Sequence, residues 1–206
     1  MSRKKPISRF KLQRRLMTEL PGLGKAGALE RKPYPPGQHG QKRIKYSEYR
    51  LQLEEKQKIR FHYGLREEQL IRIVKKAKKS QKNWCDSLIN LLERRLDNVI
   101  FRAGFAQSIA AANQLISHGH ILVNGKKVNI RSYTLKINDR IALKQKAVEN
   151  QTFIYAQHSP RLPLPDWLSI LATEQTPTIR LNDEPGLESI PFAFDSYFIT
   201  SYYSKV

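Results

Sequence analysis

Apolar positions recur at helical spacing through the middle of the chain. Leu70, Ile73, Val74 and Ala77 form an i, i+3, i+4, i+7 stripe, which predicts a helix over 66–79. Glu67 and Glu68 open it, and Lys75, Lys76, Lys78 and Lys79 close it, an order that complements the helix dipole. Leu88, Leu92, Leu96 and Val99 predict a further helix over 88–103, stopped by Gly104. Upstream, Ser47 is placed to cap a helix over 48–63, with Gly64 at its C′ position. Lys and Gln interrupt its apolar stripe of Tyr49, Leu53 and Phe61, so that helix is expected to be wetted, or to face a charged partner, on most sides.

After Gly104 the period shortens. Ser108 is an N-cap, and Ile109, Ala112, Leu115 and Ile116 line one side of a short helix that ends at Gly119. His120-Ile121-Leu122-Val123 reads as a strand. Asn124-Gly125 is a hairpin signal, because a type I′ turn needs positive φ at both central residues. A return strand over 126–130, a turn at Asn138-Asp139 and a strand Arg140-Ile141-Ala142-Leu143 complete two helices on a short antiparallel sheet. Residues 1–45 hold five of the ten glycines and five of the eleven prolines, and read as an irregular arm.

Charge changes the picture. The 206 residues carry 37 Lys+Arg against 18 Asp+Glu, a net charge of +19. Residues 1–80 contribute +16, residues 81–146 +7 and residues 147–206 −4. Such an excess points to a polyanion, nucleic acid or an anionic membrane surface, with the front of the chain as its footprint. No apolar run is long enough to span a bilayer. The basic start lacks the apolar stretch of a secretory signal. Cys85 is the sole cysteine, which excludes an internal disulfide and a cysteine-cluster metal site. His118 and His120 stand without nearby Cys or clustered carboxylates, so no metal and no cofactor is expected.

The basic candidates fall in groups. Arg3, Lys4, Lys5, Arg9, Lys11, Arg14 and Arg15 lie on the arm, and Arg50, Lys56 and Lys58 on the first long helix. Arg94, Arg95, Arg102, His118, His120, Lys126, Lys127 and Arg131 lie on the α+β unit. Phosphate contacts draw on such groups wherever they are exposed.

The runs Leu92-Glu93-Arg94-Arg95-Leu96-Asp97-Asn98-Val99 and Gln114-Leu115-Ile116-Ser117-His118-Gly119-His120-Ile121-Leu122-Val123-Asn124-Gly125 resemble the RNA-binding module of the small-subunit ribosomal protein four family. Outside the module, Pro36-Gly37-Gln38-His39-Gly40, the run from Tyr49 to Lys58, and the closing Tyr202-Tyr203-Ser204-Lys205 resemble the same family. Phe61-His62-Tyr63-Gly64-Leu65 and Leu20-Pro21-Gly22-Leu23 resemble its plastid members.

The resemblance implies an α+β protein. It has a basic arm over 1–45, a helical domain over 46–92, an inserted module over 93–147, and a segment over 148–206 that returns to the helical domain. It implies direct binding of small-subunit ribosomal RNA, early assembly of the 5′ domain, and a part in decoding accuracy. It places Lys42, Arg43 and Lys45 where messenger RNA enters the subunit, and small-subunit ribosomal protein five as a neighbour. No membrane partner is expected. The expected location is the ribosome of the plastid stroma, with the bacterial cytoplasm as the alternative.

Two other functions are distinguishable. An RNA-modifying enzyme using the module as an anchor needs a catalytic domain of ~150–200 residues after it, but only about 60 residues follow Leu143. Gly22-Leu23-Gly24-Lys25-Ala26-Gly27 has the G-x-G-x-x-G spacing, but no strand is expected before it, so it reads as part of the irregular arm and not as a nucleotide site. A free RNA chaperone acting on stalled ribosomes would differ by its absence from washed small subunits.

Overall fold

The computed structural model describes residues 7–42, 44–80, 83–172 and 176–204. Arg3, Lys4, Lys5, Arg43 and Lys205 fall outside the described residues. The first described elements are α1 (Arg9–Leu16), a 3-10 turn (Pro21–Leu23) and α2 (Ala28–Arg31).

This segment is not the irregular arm expected of residues 1–45. Leu12, Leu16, Leu20 and Ala28 are buried. Gln13 is buried as well. Its amide donates to the Lys25 carbonyl at 2.8 Å, and its carbonyl accepts from the Leu20 N–H at 3.1 Å. One side chain thereby satisfies the backbone of a loop that has no strand or helix partner. Gly22 donates to His62 Nδ1 at 3.2 Å. A Cβ there would collide with the His62 carbonyl oxygen, so only glycine allows this approach.

Helix α3 (Glu48–His62) starts where its cap predicts, with Ser47 Oγ accepting from the Arg50 N–H at 3.3 Å. Its buried face is not the expected one. Glu55, Lys56, Ile59 and His62 face inward, while Tyr49 is 63% exposed. The 3-10 turn and α10 (Ser196–Tyr203) cover it, so polar groups on this helix meet protein rather than solvent. Helix α4 (Glu67–Ala77) buries the predicted Leu70, Val74 and Ala77.

The helix expected over 88–103 is two: α5 (Trp84–Glu93) and α6 (Leu96–Arg102). At the break, Arg95 is extended (φ −68°, ψ 139°). The Leu96 N–H donates to the Tyr133 carbonyl at 2.9 Å, and the Arg94 carbonyl accepts from the Leu135 N–H at 2.9 Å. Leu88, Leu92, Leu96 and Val99 are all buried on both sides of the break, so the apolar period runs through it undisturbed.

Helix α7 (Ile109–Ser117) follows, capped by Ser108, whose hydroxyl accepts from the Ala111 N–H at 3.2 Å. The sheet, among the described residues, comprises β1 (Ile121–Val123), β2 (Lys126–Lys127), β3 (Arg140–Leu143), β4 (Leu168–Ala172) and β5 (Pro177–Leu181) in the order β2-β1-β3-β5-β4, all antiparallel. Asn124 (φ 50°) and Gly125 (φ 78°) form the β1–β2 turn with positive φ at both positions, as the type I′ reading requires.

The sheet draws on more of the chain than expected. Helices α8 (Gln145–Val148) and α9 (Gln151–His158) lead into β4, and β5 pairs with β3. The segment expected to return to the helices therefore divides. Its strands extend the module's sheet, while the stretch over 185–195 and α10 return to the helices, α10 packing on α3. Ile121, Val123, Ile141, Leu143, Ile179 and Leu181 form the buried sheet face, in one apolar cluster with Leu92, Leu96 and Ile116 of the helices and Ile199 and Tyr203 of α10. The fold is α+β, with helices packed on one face of a small antiparallel sheet.

Candidate nucleic-acid interface

The strand register sets the open face of the sheet. Leu122 pairs with Lys127 on one side and Ala142 on the other, and Arg140 pairs with Arg180. Alternation puts Lys127, Leu122, Ala142, Arg140 and Arg180 on the face away from the core. Two arginines directly opposite one another cost stability unless an anion sits near. Arg180 donates to Asn138 Oδ1 at 2.8 Å, which steadies its guanidinium without neutralising it. Lys126, Lys127, Arg131 and Arg140 are exposed. A basic face results that the sequence reading only half contained. Arg140 and Arg180 are 40 residues apart in number, and only the β3–β5 pairing makes them neighbours.

The turn that carries Lys126 and Lys127 is fixed from beneath. Asn124 Nδ2 donates to Asp139 Oδ1 at 2.8 Å, and Asn124 Oδ1 accepts from the Arg140 N–H at 2.9 Å. Asp139 Oδ2 accepts from the Lys136 N–H at 2.7 Å. Two loops far apart in sequence are thereby locked together beside the basic strands. His118, at the end of α7, is exposed, and His120 is half-buried, their ring centroids 6.0 Å apart.

Several of the expected contact residues are turned inward. Arg95 is buried and grips Asp97 with two hydrogen bonds, Nε to Oδ1 at 3.0 Å and Nη2 to Oδ2 at 2.6 Å. Arg102 is buried, with its Nε 3.6 Å from Glu93 Oε2 and its Nη2 donating to the Ser189 carbonyl at 3.1 Å. Arg94 donates to the Leu135 carbonyl at 2.7 Å and to Asn90 Oδ1 at 3.0 Å. Lys56 is buried between Glu67 Oε1 and the Tyr202 hydroxyl, each at 2.9 Å. Burial disfavours its charge, but the hydrogen bonds to Tyr202 and Glu67 prevail and hold its pKa above the ordinary lysine value. Lys58 pairs with Glu55 and donates to the Ala193 carbonyl at 3.2 Å. Arg50 is part-exposed, pairs with Glu54 at 2.8 Å and lies over the Tyr46 ring. A guanidinium bound on two edges by protein has no free fork to offer a phosphate.

These internal pairs have a shared purpose at the α5–α6 break. Glu93 is fully buried and accepts from the Tyr63 hydroxyl and from Asn98 Nδ2, with Arg102 alongside. Burial pushes its carboxyl above the usual range, against the pull of Arg102, Tyr63 and Asn98. Asp97 is likewise raised by burial and opposed by Arg95. The run from Glu93 to Asn98 is thus a buried polar knot that joins α3, α5, α6 and the tail at Ser189. Its carboxylates and guanidinium groups shape the domain, and the exposed strand and turn groups face outward.

On the N-terminal part, Lys11 and Arg15 are exposed on α1, and Lys42 and Lys45 are exposed before α3. Arg9 donates to the Leu23 carbonyl at 3.0 Å. Arg14 holds the Tyr34-Pro35 backbone, with Nε donating to the Tyr34 carbonyl at 2.9 Å, and lies over the Tyr34 ring.

A family model described as "Ribosomal protein S4/S9 N-terminal domain" matches residues 4–93, and one described as "S4 domain" matches residues 94–141. The chain is 61% identical over 208 residues to "Small ribosomal subunit protein uS4B" of Bdellovibrio bacteriovorus, covering 99% of each. It is 43% identical over 199 residues to "Small ribosomal subunit protein uS4" of Methylobacillus flagellatus, covering 96% of each. It is 44% identical over 201 residues to the uS4 protein of Nocardia farcinica, covering 97% of each.

Proposed function

The chain belongs to the ribosomal S4 family, and from that premise we propose that it is built into the small ribosomal subunit by binding its RNA directly. The observation that carries this reading is whole-length similarity to small-subunit proteins on a fold whose outward groups are basic. Lys126, Lys127, Arg131, Arg140 and Arg180 surround the sheet and its turn. Lys11, Arg15, Lys42 and Lys45 do the same at the other end. The relatives are ribosomal proteins, which leaves the RNA-modifying enzyme without support. They are also bacterial, which favours the ribosome of a bacterial cytoplasm over the plastid stroma.

The mechanism is one of shape and charge. A-form RNA is recognised chiefly through phosphates, 2′-hydroxyls and unpaired bases. A rigid surface of outward cations suits the first of these. The buried knot at Glu93–Asn98 keeps that surface in place before RNA arrives, so little ordering cost remains at the module. Such pre-organisation is in keeping with early assembly of the 5′ domain, which, like a part in decoding accuracy, is proposed on the family resemblance. The proposal extends to Lys42, Arg43 and Lys45 as messenger contacts and to protein five as a neighbour, with the family resemblance as its support.

Hydroxyl-radical footprinting of purified small-subunit ribosomal RNA with the full chain tests the proposal. Protection confined to contiguous helices of the 5′ domain is the expected result. Uniform weak protection along the whole RNA would refute specific binding. Presence at one copy per washed subunit separates this reading from a free chaperone.

A further inference from the structure

Between α7 and α9 lies a cavity of about 210 Å³ that opens to solvent beside the basic turn. Its floor is apolar. Phe105 is buried there, edge-on to Phe153 with centroids 5.2 Å apart, and Leu115 completes the base. One wall carries Gln114, His118 and His120 from α7 and the turn after it. The opposite wall carries Tyr155 of α9, a residue that is 62% exposed.

We propose that this cavity is a slot for one unpaired nucleobase of the ribosomal RNA, an inference that rests on the RNA-binding reading above. Size agrees. An apolar cavity of about 150 Å³ in another protein holds a benzene ring, so 210 Å³ accommodates a heteroaromatic ring with its exocyclic groups. Chemistry agrees as well. Unpaired bases are recognised by stacking on aromatic or histidine rings and by hydrogen bonds to their edges. Tyr155 and His118 are exposed, and the side chains of Gln114 and His120 carry donors and acceptors that make no hydrogen bond among the described residues.

The backbone of the same nucleotide has an anchor at hand. The Lys127 side chain lies against Gly119, its ammonium 2.8 Å from where a Cβ on that glycine would stand. Gly119 stands between His118 and His120 of the slot wall, so the ammonium lies close to that wall. The Lys144 N–H donates to the His120 carbonyl at 2.9 Å, which ties the His120 backbone to the end of β3. A base inserted here has its phosphate within reach of fixed positive charge. The backbone groups contacted ignore sequence, while the slot reads one base.

The test uses the full chain and transcribed small-subunit ribosomal RNA. Base-specific chemical probing by dimethyl sulfate and carbodiimide reports each unpaired base, and filter binding over a salt series reports affinity and slope. Wild type should protect one unpaired base within its footprint. Tyr155→Ala and His118→Ala should restore reactivity at that base alone and weaken binding by roughly 5- to 100-fold, the range for one stacked base. Their salt slopes should stay those of wild type, because no phosphate contact is lost. Lys127→Ala should instead reduce the slope by about one. Tyr155→Phe keeps the ring and should behave as wild type. Both ring positions are exposed, and unchanged melting confirms that the variants fold. Equal affinity and unchanged base reactivity in Tyr155→Ala and His118→Ala overturn the slot while leaving RNA binding intact. Failure of wild type to bind the RNA overturns the underlying reading instead.

Discussion

Arg102 stands where a phosphate contact was expected, and its replacement separates structural from RNA-binding arginines. Methionine at this position keeps most of the side-chain volume and removes the charge. The structure then leaves Glu93 fully buried with its cation gone, and leaves the Ser189 carbonyl without its donor. Removing one partner of a buried ion pair costs about 3–5 kcal/mol, far above the median of ~1 kcal/mol or less for an exposed pair. The side chains here are 8% and 0% exposed, so solvent screening does not discount the figure. At about 2–4 °C per kcal/mol for a chain of this size, Arg102→Met should melt roughly 6–20 °C below wild type.

The pH dependence of that loss has a definite sign. Burial already raises the Glu93 pKa, and without Arg102 it rises further. A carboxyl raised in the folded state favours folding below its unfolded pKa and loses that advantage as pH climbs through the folded value. The deficit of Arg102→Met should therefore be largest at neutral pH and shrink on acidification, as Glu93 takes up a proton. Urea unfolding from pH 5 to 8 measures this. The salt slope of RNA binding should match wild type wherever the variant is folded. Wild-type stability together with a slope reduced by about one would refute the reasoning and make Arg102 a phosphate contact.

Three further outcomes follow from the same structure. Gly125→Val should cost about 1–3 kcal/mol by urea unfolding through backbone strain alone, since φ is 78° and a Cβ meets nothing within 4 Å; an unchanged midpoint contradicts the turn reading. His62 is fully buried, and burial together with the Arg102 charge lowers its pKa to about 3, so its contribution is present above the unfolded value of ~6.5 and is lost as pH falls toward 3, at about 1.4 kcal/mol per pH unit. A His62→Asn variant should show a shallower acid limb in denaturation, and an identical limb assigns acid sensitivity elsewhere. A Lys42, Arg43, Lys45 triple alanine variant should enter small subunits normally and slow translation through structured messengers selectively; equal slowing on all messengers with an assembly defect would make the three ribosomal-RNA anchors.

The short-range signals in the sequence translated directly into structure. Ser47 and Ser108 cap helices, and Asn124-Gly125 turns the hairpin, because each acts through backbone atoms a few residues away. The α5–α6 break was illegible because Leu88, Leu92, Leu96 and Val99 hold their helical period across it. What breaks the helix is Thr134 and Leu135 pairing with Arg94 and Arg95 from some forty residues on. The N-terminal fold was hidden for a related reason. A glycine- and proline-rich stretch reads as irregular until Gln13 and His62 supply its backbone with partners.

Basic residues were legible as a class but not as individuals. Lys56, Arg95 and Arg102 look like phosphate ligands in a strongly basic chain, yet Glu67, Asp97 and Glu93 engage them inside. Arg140 and Arg180 went unnoticed because their adjacency depends on a strand pairing that sequence spacing does not encode.

The central claim is that the outward cations grip RNA phosphates on a preformed fold. It is tested most directly by the salt dependence of the full chain's affinity for small-subunit ribosomal RNA, measured beside an Arg140→Ala, Arg180→Ala, Lys127→Ala variant. Each neutralised phosphate contributes roughly −0.7 to −0.9 to the slope of log K against log salt, so ~6–10 contacts give wild type a steep line. Wild type should show that steep line, and the triple variant, at wild-type stability, a slope smaller by about two to three. A near-zero slope for wild type, or an unchanged slope in the folded triple variant, would contradict the central claim.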